Sequence, residues 1–325
     1  IKIWEYEGKP TVFQIKKGET FSSINYRLGK KKFISNTRIF HRYAQFRGIM
    51  TDFKAGKYRI EPGSDMAEVV QTLLEGQPIT VNVTIPEGKN LYEIAKILAN
   101  KNISKEKSFI KWATNKEFTH KLGISADRVE GYLFPETYHF NESLNAKEVI
   151  RIMVNEFNNQ TKELSFNRSE YSRHEVVTLA SIVEKETGAA WERPRIAGVF
   201  FNRLQKGMRL QTDPTTIYGI YARTGKFDGN LQRRDLRQKT AYNTYRISGL
   251  PKGPIANPGL ESIKAALNPE EHDYLFFVSK NDGTHVFSET LREHNRAVRY
   301  WQKTPENRRG RSWRDLQDSA KEKSQ

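Results

Sequence analysis

The stretch VFQIKKGETFSSINYRLGKKKFIS, residues 12–35, has a counterpart in NVTIPEGKNLYEIAKILANKNIS, residues 82–104. Gly18 matches Gly88, and the apolar positions that follow keep the same offset. Each stretch has a short apolar run, a turn at glycine and apolar residues spaced as on one face of a helix. Self-similarity at a fixed offset indicates a duplicated supersecondary unit.

The similarity continues beyond these two stretches in further pairs of segments. The pairs are FHRYA (40–44) with FIKWA (109–113), AGKYRIEP (55–62) with EGYLFPET (130–137), and AEVVQTLL (67–74) with KEVIRIMV (147–154). Each copy therefore predicts a strand, two helices, a second strand and one further helix. This β-α-α-β order resembles the LysM module, whose family binds glycans that contain N-acetylglucosamine. For the first copy, glycan binding and a purely structural spacer both remain open.

The composition changes after about residue 165 to a helix-rich pattern with few strand signals. One exception is YLFFVSKNDGTHVFS (274–288), where Asn281-Asp282-Gly283 between two alternating runs predicts a β-hairpin. The predicted fold class is α+β, with LysM-like β-α-α-β modules followed by a helix-rich domain that carries a small β-hairpin. The predicted parts are a LysM-like module at 1–78, a second related α/β module at 79–160 that packs on the helix-rich domain, that domain at 161–305, and a basic C-terminal tail at 306–325.

The charge balance limits the classes of partner. The chain has 54 Lys and Arg against 38 Asp and Glu, a formal net charge of +16, which favours a polyanion, an anionic membrane face or an acidic wall polymer. Because no zinc-finger spacing, basic-leucine pattern or aromatic RNA-binding signature is present, nucleic acid is not the expected partner. The absence of cysteine excludes disulfides, thiol catalysis and thiolate metal sites.

No membrane span is visible in the sequence, since no apolar run approaches the roughly 18 residues that a spanning helix needs. The first residue is Ile1 rather than Met. We therefore expect an N-terminal membrane anchor to lie upstream of this chain.

The stretch LASIVEKETG (179–188) raises the question of which of its two glutamates does chemistry. HEVVTLASIVEKET (174–187) reads as one helix, and at about 100° per residue Glu184 and Glu186 fall on opposite flanks of its apolar stripe. They cannot both face one cleft. A carboxyl group walled by apolar side chains has a raised pKa and suits a general acid. Periodicity favours Glu186, and a solvated Glu-Lys-Glu face is the alternative.

Two downstream segments, 195–220 and 240–269, are rich in Tyr, Asn, Thr, Pro and Gly. Loops of this composition are typical of sugar subsites, where aromatic faces cover the ring and amides bind its polar groups. Turn formation and loop scaffolding are the alternative explanation. The residues expected to contact substrate or to support Glu186 are Asn202, Gln211, Thr212, Asp213, Tyr218, Tyr242, Asn243, Thr244 and Tyr245.

Four separate motifs follow one another between residues 180 and 295. They are ASIVEKET (180–187), VFFNRLQKGMRLQTDPTTIYG (199–219), TAYNTYRISGLPKGPIANPGLESIKAALNP (240–269) and YLFFVSKNDGTHVFSETLREHN (274–295). Together they resemble the YceG/MltG family of membrane-bound endolytic murein transglycosylases, and the resemblance covers essentially the whole chain. It implies cleavage of the β-1,4 bond between N-acetylmuramic acid and N-acetylglucosamine within a glycan strand. The second glutamate of the E-K-E run, Glu186, would be the essential acid.

The chemistry that the resemblance implies needs a single carboxylate. The acid protonates the glycosidic oxygen, and its conjugate base then takes the proton of the muramoyl C6 hydroxyl, which closes onto C1 to give a 1,6-anhydro end. A hydrolase needs two carboxylates, and Asp213 is the main candidate for the second, with a helix-start cap as its alternative role. No His-Glu-x-x-His spacing is present, so neither a metal nor a cofactor is expected.

The resemblance also implies a location and partners. It implies a single-pass anchor in the inner membrane, a catalytic part facing the periplasm, glycan strands as substrate, and peptidoglycan synthases beside an enzyme that limits nascent chain length. The residues expected to support the site are Glu184, Glu136 and His285. The competing functions are a non-catalytic peptidoglycan-binding scaffold, a hydrolytic muramidase and a basic nucleic-acid binder.

Overall fold

The computed structural model describes residues 4–76, 78–166, 170–304 and 307. Helices and small antiparallel sheets build this part of the chain, which confirms the predicted α+β class. The strands are β1 Thr11–Ile15, β2 Gly56–Ile60, β3 Thr80–Thr84, β4 Thr137–Asn141, β5 Phe276–Ser279 and β6 His285–Ser288. The α-helices are α1 Phe21–Lys30, α2 Thr37–Arg47, α3 Met66–Leu74, α4 Leu91–Asn100, α5 Glu106–Ala113, α6 Lys116–Lys121, α7 Ala146–Thr161, α8 Arg173–Glu186, α9 Arg193–Gln205, α10 Asp213–Thr224, α11 Arg233–Arg237, α12 Leu260–Leu267 and α13 Leu291–Val298.

The first copy of the repeat has the predicted order β1-α1-α2-β2-α3. Helix α1 begins after Thr20, whose side chain accepts a hydrogen bond from the backbone of Ser23. The helix buries the side chains at its apolar spacing, Phe21, Ile24 and Leu28. β1 pairs with β2 in antiparallel register, so the strand that precedes the helices and the strand that follows them lie side by side.

The second copy differs from the first in one place. It contains an additional helix, α6, and the strand that pairs with β3 is β4, not the segment 130–137 that the alignment placed opposite β2. Gly131 has a φ of 88°, a left-handed conformation that an extended strand does not contain. The alignment was therefore wrong at this position, and the residues before Thr137 form a buried turn instead.

The chain separates into two compact units. The first consists of Ile1–Thr84, Ile97–Lys105 and Thr137–Val149, and the second consists of Ile85–Lys96, Glu106–Glu136 and Ile150–Gln325. Both strands of the second repeat belong to the first unit, whereas the residues between α5 and β4 belong to the second. The predicted domain boundaries at 78, 160 and 305 stay a prediction. The core of the first unit is a continuous apolar cluster that includes Phe13, Leu28, Phe40, Tyr58 and Leu73.

Helix α8 is central to the second unit, where it packs against α9, α10 and α12. It begins at a capping box in which Ser172 and Glu175 satisfy each other's backbone N–H groups, and all residues from Val176 to Val183 are buried. The predicted helix that ends just before Gly188 is therefore confirmed. Its last residue is Glu186, which places this side chain where the buried part of the helix meets the surface.

The predicted hairpin is also confirmed. β5 and β6 pair in antiparallel register, and Asn281 and Gly283 between them have φ values of 64° and 88°. The predicted tail at 306–325 lies outside the described residues, apart from Asn307. Among the helices that the structure describes, none has the length and apolar content required to cross a bilayer.

Candidate active site

The carboxyl group of Glu186 lies in a pocket with a cavity volume of about 400 Å³. The pocket forms between the end of α8, the segment before α10 and the β-hairpin with α13. Its lining residues are Glu186, Phe200, Arg203, Leu210, Gln211, Thr212, Asp213, Tyr245, Phe276, Phe277, Leu291 and His294. Of the residues that the sequence predicted for substrate contact, Gln211, Thr212, Asp213 and Tyr245 are therefore together with Glu186.

The environment of Glu186 suits an acid that works near neutral pH. Burial of the carboxyl raises its pKa from the ordinary 4.5 to about 7, although the side chain as a whole keeps some exposure at the pocket surface. The Thr212 hydroxyl donates a hydrogen bond to Oε1 of Glu186 and acts in the opposite direction, because it stabilises the charged form. The negative charge of Asp213 raises the pKa further. A group with a pKa near the working pH can both give and take a proton.

A second carboxylate is present in the same pocket. Asp213 is the first residue of α10, and its Oδ1 accepts a hydrogen bond of 2.7 Å from the Tyr245 hydroxyl. Thr212 precedes it as the N-cap residue, and the Thr212 N–H donates to Oγ1 of Thr244 at 3.1 Å. These bonds fix the segment that faces Glu186. Asp213 therefore begins α10 but does not cap it, since Thr212 is the N-cap residue and no side chain makes a capping hydrogen bond. Its carboxylate instead lines the pocket that contains Glu186.

Arg203 forms part of the pocket wall. Its guanidinium donates to the carbonyl oxygens of Leu275 at 2.6 Å and Leu210 at 2.7 Å, and it lies 5.1 Å from the centre of the Phe276 ring. It thereby joins α9 to the segment before α10 and to the hairpin. Arg203 was not among the residues predicted from the sequence. The available signal was its spacing, because Arg203 falls seven residues after Ile196, on the buried face of α9.

His294 enters the pocket from α13. Its ring stacks on Phe276 with centroids 5.2 Å apart, and burial lowers the pKa of its imidazole. The neutral form therefore dominates at neutral pH. Nδ1 of His294 is buried and has no hydrogen-bond partner among the described residues, so this atom is enclosed in the pocket wall and not open to a ligand.

Asn202 is not part of the pocket lining. Its amide donates to the backbone oxygens of His272 at 2.6 Å and Tyr274 at 3.0 Å. In the structure the side chain holds the segment that leads into β5 to helix α9. Substrate contact by Asn202 stays a prediction.

Four other predicted contacts are buried below the pocket rather than exposed in it. Tyr218 and Tyr242 meet edge to face with ring centroids 4.8 Å apart. Asn243 accepts a bond from Thr216 at 3.1 Å, and Thr244 bonds the backbone of Thr212. Because Asn243 and Thr244 are fully buried and the two tyrosines almost so, they scaffold the site and do not contact a ligand in this pocket.

Glu184 points to the opposite flank of α8, as the helical periodicity predicted. Its Oε2 accepts hydrogen bonds from the Ser262 hydroxyl at 2.7 Å and from the Gly259 N–H at 3.2 Å. Arg193 lies 3.8 Å from its other oxygen. Glu184 thus attaches α8 to the start of α12.

The structure places neither His285 nor Glu136 in the pocket lining. Nδ1 of His285 lies 2.7 Å from Oε2 of the buried Glu192, so this histidine fixes the turn between α8 and α9 to β6. Glu136 is exposed at the start of β4. Neither residue supports the site by direct contact with the pocket, and their predicted supporting role stays a prediction.

A different glutamate, Glu130, occupies a fully buried position in this unit. Both of its oxygens accept the Leu91 N–H, at 3.1 and 3.0 Å, and Oε1 also accepts from Nδ2 of Asn257 at 2.8 Å. Burial raises the pKa of Glu130 to about 7. Asn257 in turn bonds the backbone of Lys89 at 2.9 Å and that of Leu133 at 2.8 Å, so one network connects three separate segments of the unit.

A metal site has no support in the described part of the chain, where no group of three or more His, Asp or Glu side chains could hold an ion. The chemistry of the pocket is therefore that of one carboxyl group with a raised pKa, a second carboxylate bonded to a tyrosine, and a neutral histidine.

Comparison with known proteins places this geometry in context. Residues 13–300 match the YceG-like family. An endolytic murein transglycosylase of Bacillus subtilis (strain 168) is 35% identical over 312 residues, which cover 90% of this chain and 85% of that protein. A protein with the same name from Streptococcus pneumoniae serotype 2 (strain D39) is 29% identical, and the match covers 87% of this chain and 57% of that protein.

Among solved structures, a yceG-like protein from Listeria monocytogenes is similar, with a TM-score of 0.61 and 33% identity. The similarity covers 89% of this chain and 99% of the Listeria chain.

Proposed function

The chain belongs to the YceG-like family, and we propose that it is an endolytic murein transglycosylase with Glu186 as its catalytic acid. The observation that carries the proposal is the position of this carboxyl group, at the end of a buried helix and in a pocket, with its pKa raised to about 7. The relatives from Bacillus subtilis and Streptococcus pneumoniae that carry this name support the reaction class.

In the proposed reaction Glu186 transfers its proton to the oxygen that links N-acetylmuramic acid to N-acetylglucosamine. The bond from that oxygen to C1 breaks, and positive charge develops on C1. The carboxylate then takes the proton from the muramoyl C6 hydroxyl while that oxygen bonds to C1. The products are a 1,6-anhydro end and a released hydroxyl, so no water is consumed and Glu186 regains its proton.

Other residues of the pocket assist this proton transfer. Asp213 supplies a negative charge close to the site where positive charge develops, and the Tyr245 hydroxyl holds it in place. Thr212 orients the carboxyl group of Glu186 through its hydrogen bond. The exposed side chain of Gln211 in the lining is the polar group that we assign to sugar hydroxyl or acetamido contacts.

The presence of Asp213 in the same pocket also favours a second candidate function, a hydrolytic muramidase in which Asp213 activates water. The two functions differ in their products, because a hydrolase leaves a reducing end. A peptidoglycan-binding scaffold without catalysis is the third candidate.

We also propose the wider setting that the resemblance implies. The first LysM-like repeat binds glycan, and a single-pass N-terminal anchor holds the protein in the inner membrane with its catalytic part in the periplasm. Peptidoglycan synthases supply the nascent strands whose length it limits. The net charge of +16 supports attraction to anionic wall polymers or lipids.

The experiment that tests the proposal uses uncrosslinked glycan strands with the wild type and with Glu186→Gln. We expect the wild type to release internal fragments with 1,6-anhydro ends by mass spectrometry, and the variant to release none. Fragments from the strand ends alone would argue against endolytic cleavage. Wall binding without fragments from either protein would favour the scaffold.

A further inference from the structure

An exposed aromatic side chain lies outside the Glu186 pocket, in the same unit. Trp191 is 65% exposed, although tryptophan is on average a largely buried residue. It belongs to the 3₁₀ turn Ala190–Glu192, which connects α8 to α9. Beside the ring is a second cavity of about 360 Å³, whose lining includes Trp191, Arg193, Pro194, Glu261, Lys264 and Asn268.

The turn that carries Trp191 is held firmly on both sides. The neighbouring Glu192 is buried and accepts bonds from the backbone N–H of His285 at 3.1 Å and from its ring at 2.7 Å. On the other side, Nε of Arg193 donates to the Ser262 hydroxyl at 3.0 Å. The turn therefore holds the indole in a fixed position. Binding of a ligand over the ring would cost little free energy for ordering the turn.

The cavity beside the ring contains both positively and negatively charged side chains. The ammonium of Lys264 lies 2.8 Å from one oxygen of Glu261, and both side chains remain largely accessible. Nδ2 of Asn268 donates to the Lys264 carbonyl at 3.3 Å. Both cations of the lining have carboxylate partners, since Arg193 lies 3.5 Å from Glu87 and 3.8 Å from Glu184. An apolar aromatic face next to such paired charges matches a neutral sugar ring, which has a C–H face and a rim of hydroxyl and acetamido groups.

The position of Trp191 is close to the site of cleavage along the chain. It follows Glu186 by five residues, so their Cα atoms are at most about 18 Å apart. A glycan strand of several sugars can span this distance if it passes around the C-terminal end of α8, because Arg193 in the Trp191 cavity lies beside Glu184, on the flank opposite to Glu186.

We propose that Trp191 and the adjacent cavity form a remote subsite for an N-acetylhexosamine residue of the glycan strand. The inference rests on the proposed function for the source of its ligand. Binding at this subsite holds a long strand while the pocket cleaves it, so the subsite affects the KM for long strands and leaves kcat unchanged.

A direct test follows the indole N–H resonance of Trp191 by NMR in the whole chain, assigned by its absence from Trp191→Phe. Oligomers of N-acetylglucosamine are the probe, because they lack both muramic acid and peptide. We expect a saturable shift of this resonance in the wild type and in Glu186→Gln. No shift up to millimolar oligomer would overturn the subsite, and so would a shift produced by free stem peptide instead of sugar.

A kinetic test uses Trp191→Ala with peptidoglycan strands. We expect its KM for long strands to rise roughly two- to tenfold, the range of one aromatic contact, with kcat unchanged and with recovery in Trp191→Tyr. Tyr300→Ala is the matched control, since Tyr300 is 55% exposed and lines neither cavity. An unchanged KM for Trp191→Ala would contradict the subsite. Inactivity of the wild type would contradict the proposed function, and the NMR titration would then decide whether the subsite exists.

Discussion

At the scale of single residues, Glu184 and Glu186 are two positions apart in α8 and contact different segments of the chain. Glu186 reaches Thr212 in the pocket, and Glu184 reaches Ser262 at the start of α12. Helical periodicity predicted the opposite flanks and favoured Glu186, but it left a solvated Glu-Lys-Glu face as the alternative. Which glutamate enters the pocket depends on the segment that packs against each flank of α8, and tertiary structure determines this packing.

Replacement of Glu186 by glutamine tests its role in proton transfer while its packing is kept. Glu186→Gln keeps the shape and can still accept the Thr212 bond, but it has no proton to transfer. We expect cleavage of glycan strands to fall by about 10²–10⁴-fold, the usual contribution of a general acid. Glu184→Gln is the matched control and should stay within about tenfold of the wild type. Equal losses in the two variants would show that the loss reflects damage to α8.

The pH dependence of cleavage should report the carboxyl group of Glu186. Because Glu186 must begin protonated, kcat/KM should fall above about pH 7. Thr212→Val removes a bond that stabilises the charged form, so its alkaline limb should move to higher pH, whereas Thr212→Ser should keep the wild-type limb. A wild-type limb near pH 4.5, or one that Thr212→Val leaves in place, would contradict the assignment.

Stability should depend on pH for the same reason. Below about pH 4.5 the carboxyl is protonated in both states; as pH rises towards 7 the unfolded chain ionises first, and the folded state becomes relatively less stable. Glu186→Gln should therefore have an unfolding free energy about 1–2 kcal/mol higher than the wild type at pH 8, less than the full shift because the side chain is partly exposed. Near pH 4 the two proteins should unfold alike. Denaturant titrations at both pH values measure the difference, which a constant offset would contradict.

At the scale of elements, the buried network of Glu130 and Asn257 connects segments that are distant in sequence. Asn257 is fully buried and bonds Lys89, Leu133 and Glu130. Gly88, next to this network, also bonds the carbonyl of Asn257 at 2.9 Å. The loop after Pro254 is thereby fixed to the start of α4.

Removal of the Asn257 amide should be costly. Asn257→Ala leaves the Leu133 N–H without its partner and removes the amide bond to Glu130, whereas the Lys89 carbonyl still accepts the backbone N–H of residue 257. We expect a loss of about 2–4 kcal/mol in unfolding free energy. Asn268→Ala, which removes a more accessible amide, should change it by less than about 0.5 kcal/mol. Thermal and denaturant unfolding measure both variants. Equal stabilities would show that the network is dispensable.

The sequence predicted the elements that local pattern determines. The order of the first repeat, helix α8 and the hairpin at Asn281-Asp282-Gly283 follow from periodicity, capping and turn residues. The strand β4 was placed too early because the apolar segment 130–137 resembles a strand. Its true conformation depends on the left-handed Gly131 and on a bond to Asn257, which lies more than a hundred residues away.

The composition of the pocket was predicted only in part for the same physical reason. Gln211, Thr212, Asp213 and Tyr245 lie within or beside the loops that were identified as polar and aromatic, and all line the pocket. Asn243 and Thr244 come from the same loops and are buried. Residue type cannot separate these two groups, since the same amide or hydroxyl can bond a sugar or a backbone.

At the scale of the whole molecule, the net charge of +16 predicts a strong effect of salt on binding to the cell wall. Exposed charges are screened over about 10 Å at 0.1 M salt. Binding to purified sacculi should therefore weaken clearly between low and high salt, as a sedimentation assay can measure. Binding that stays constant would exclude a contribution of the overall charge.

The central claim is that Glu186 drives cleavage in which the C6 hydroxyl, and not water, attacks C1. The most direct measurement is a digestion of glycan strands in water enriched in the heavy oxygen isotope, followed by mass spectrometry of the new ends. We expect the wild type to give 1,6-anhydro ends without heavy oxygen, and Glu186→Gln to give no new ends. Reducing ends that carry heavy oxygen would contradict the claim and identify a hydrolase that uses a second carboxylate.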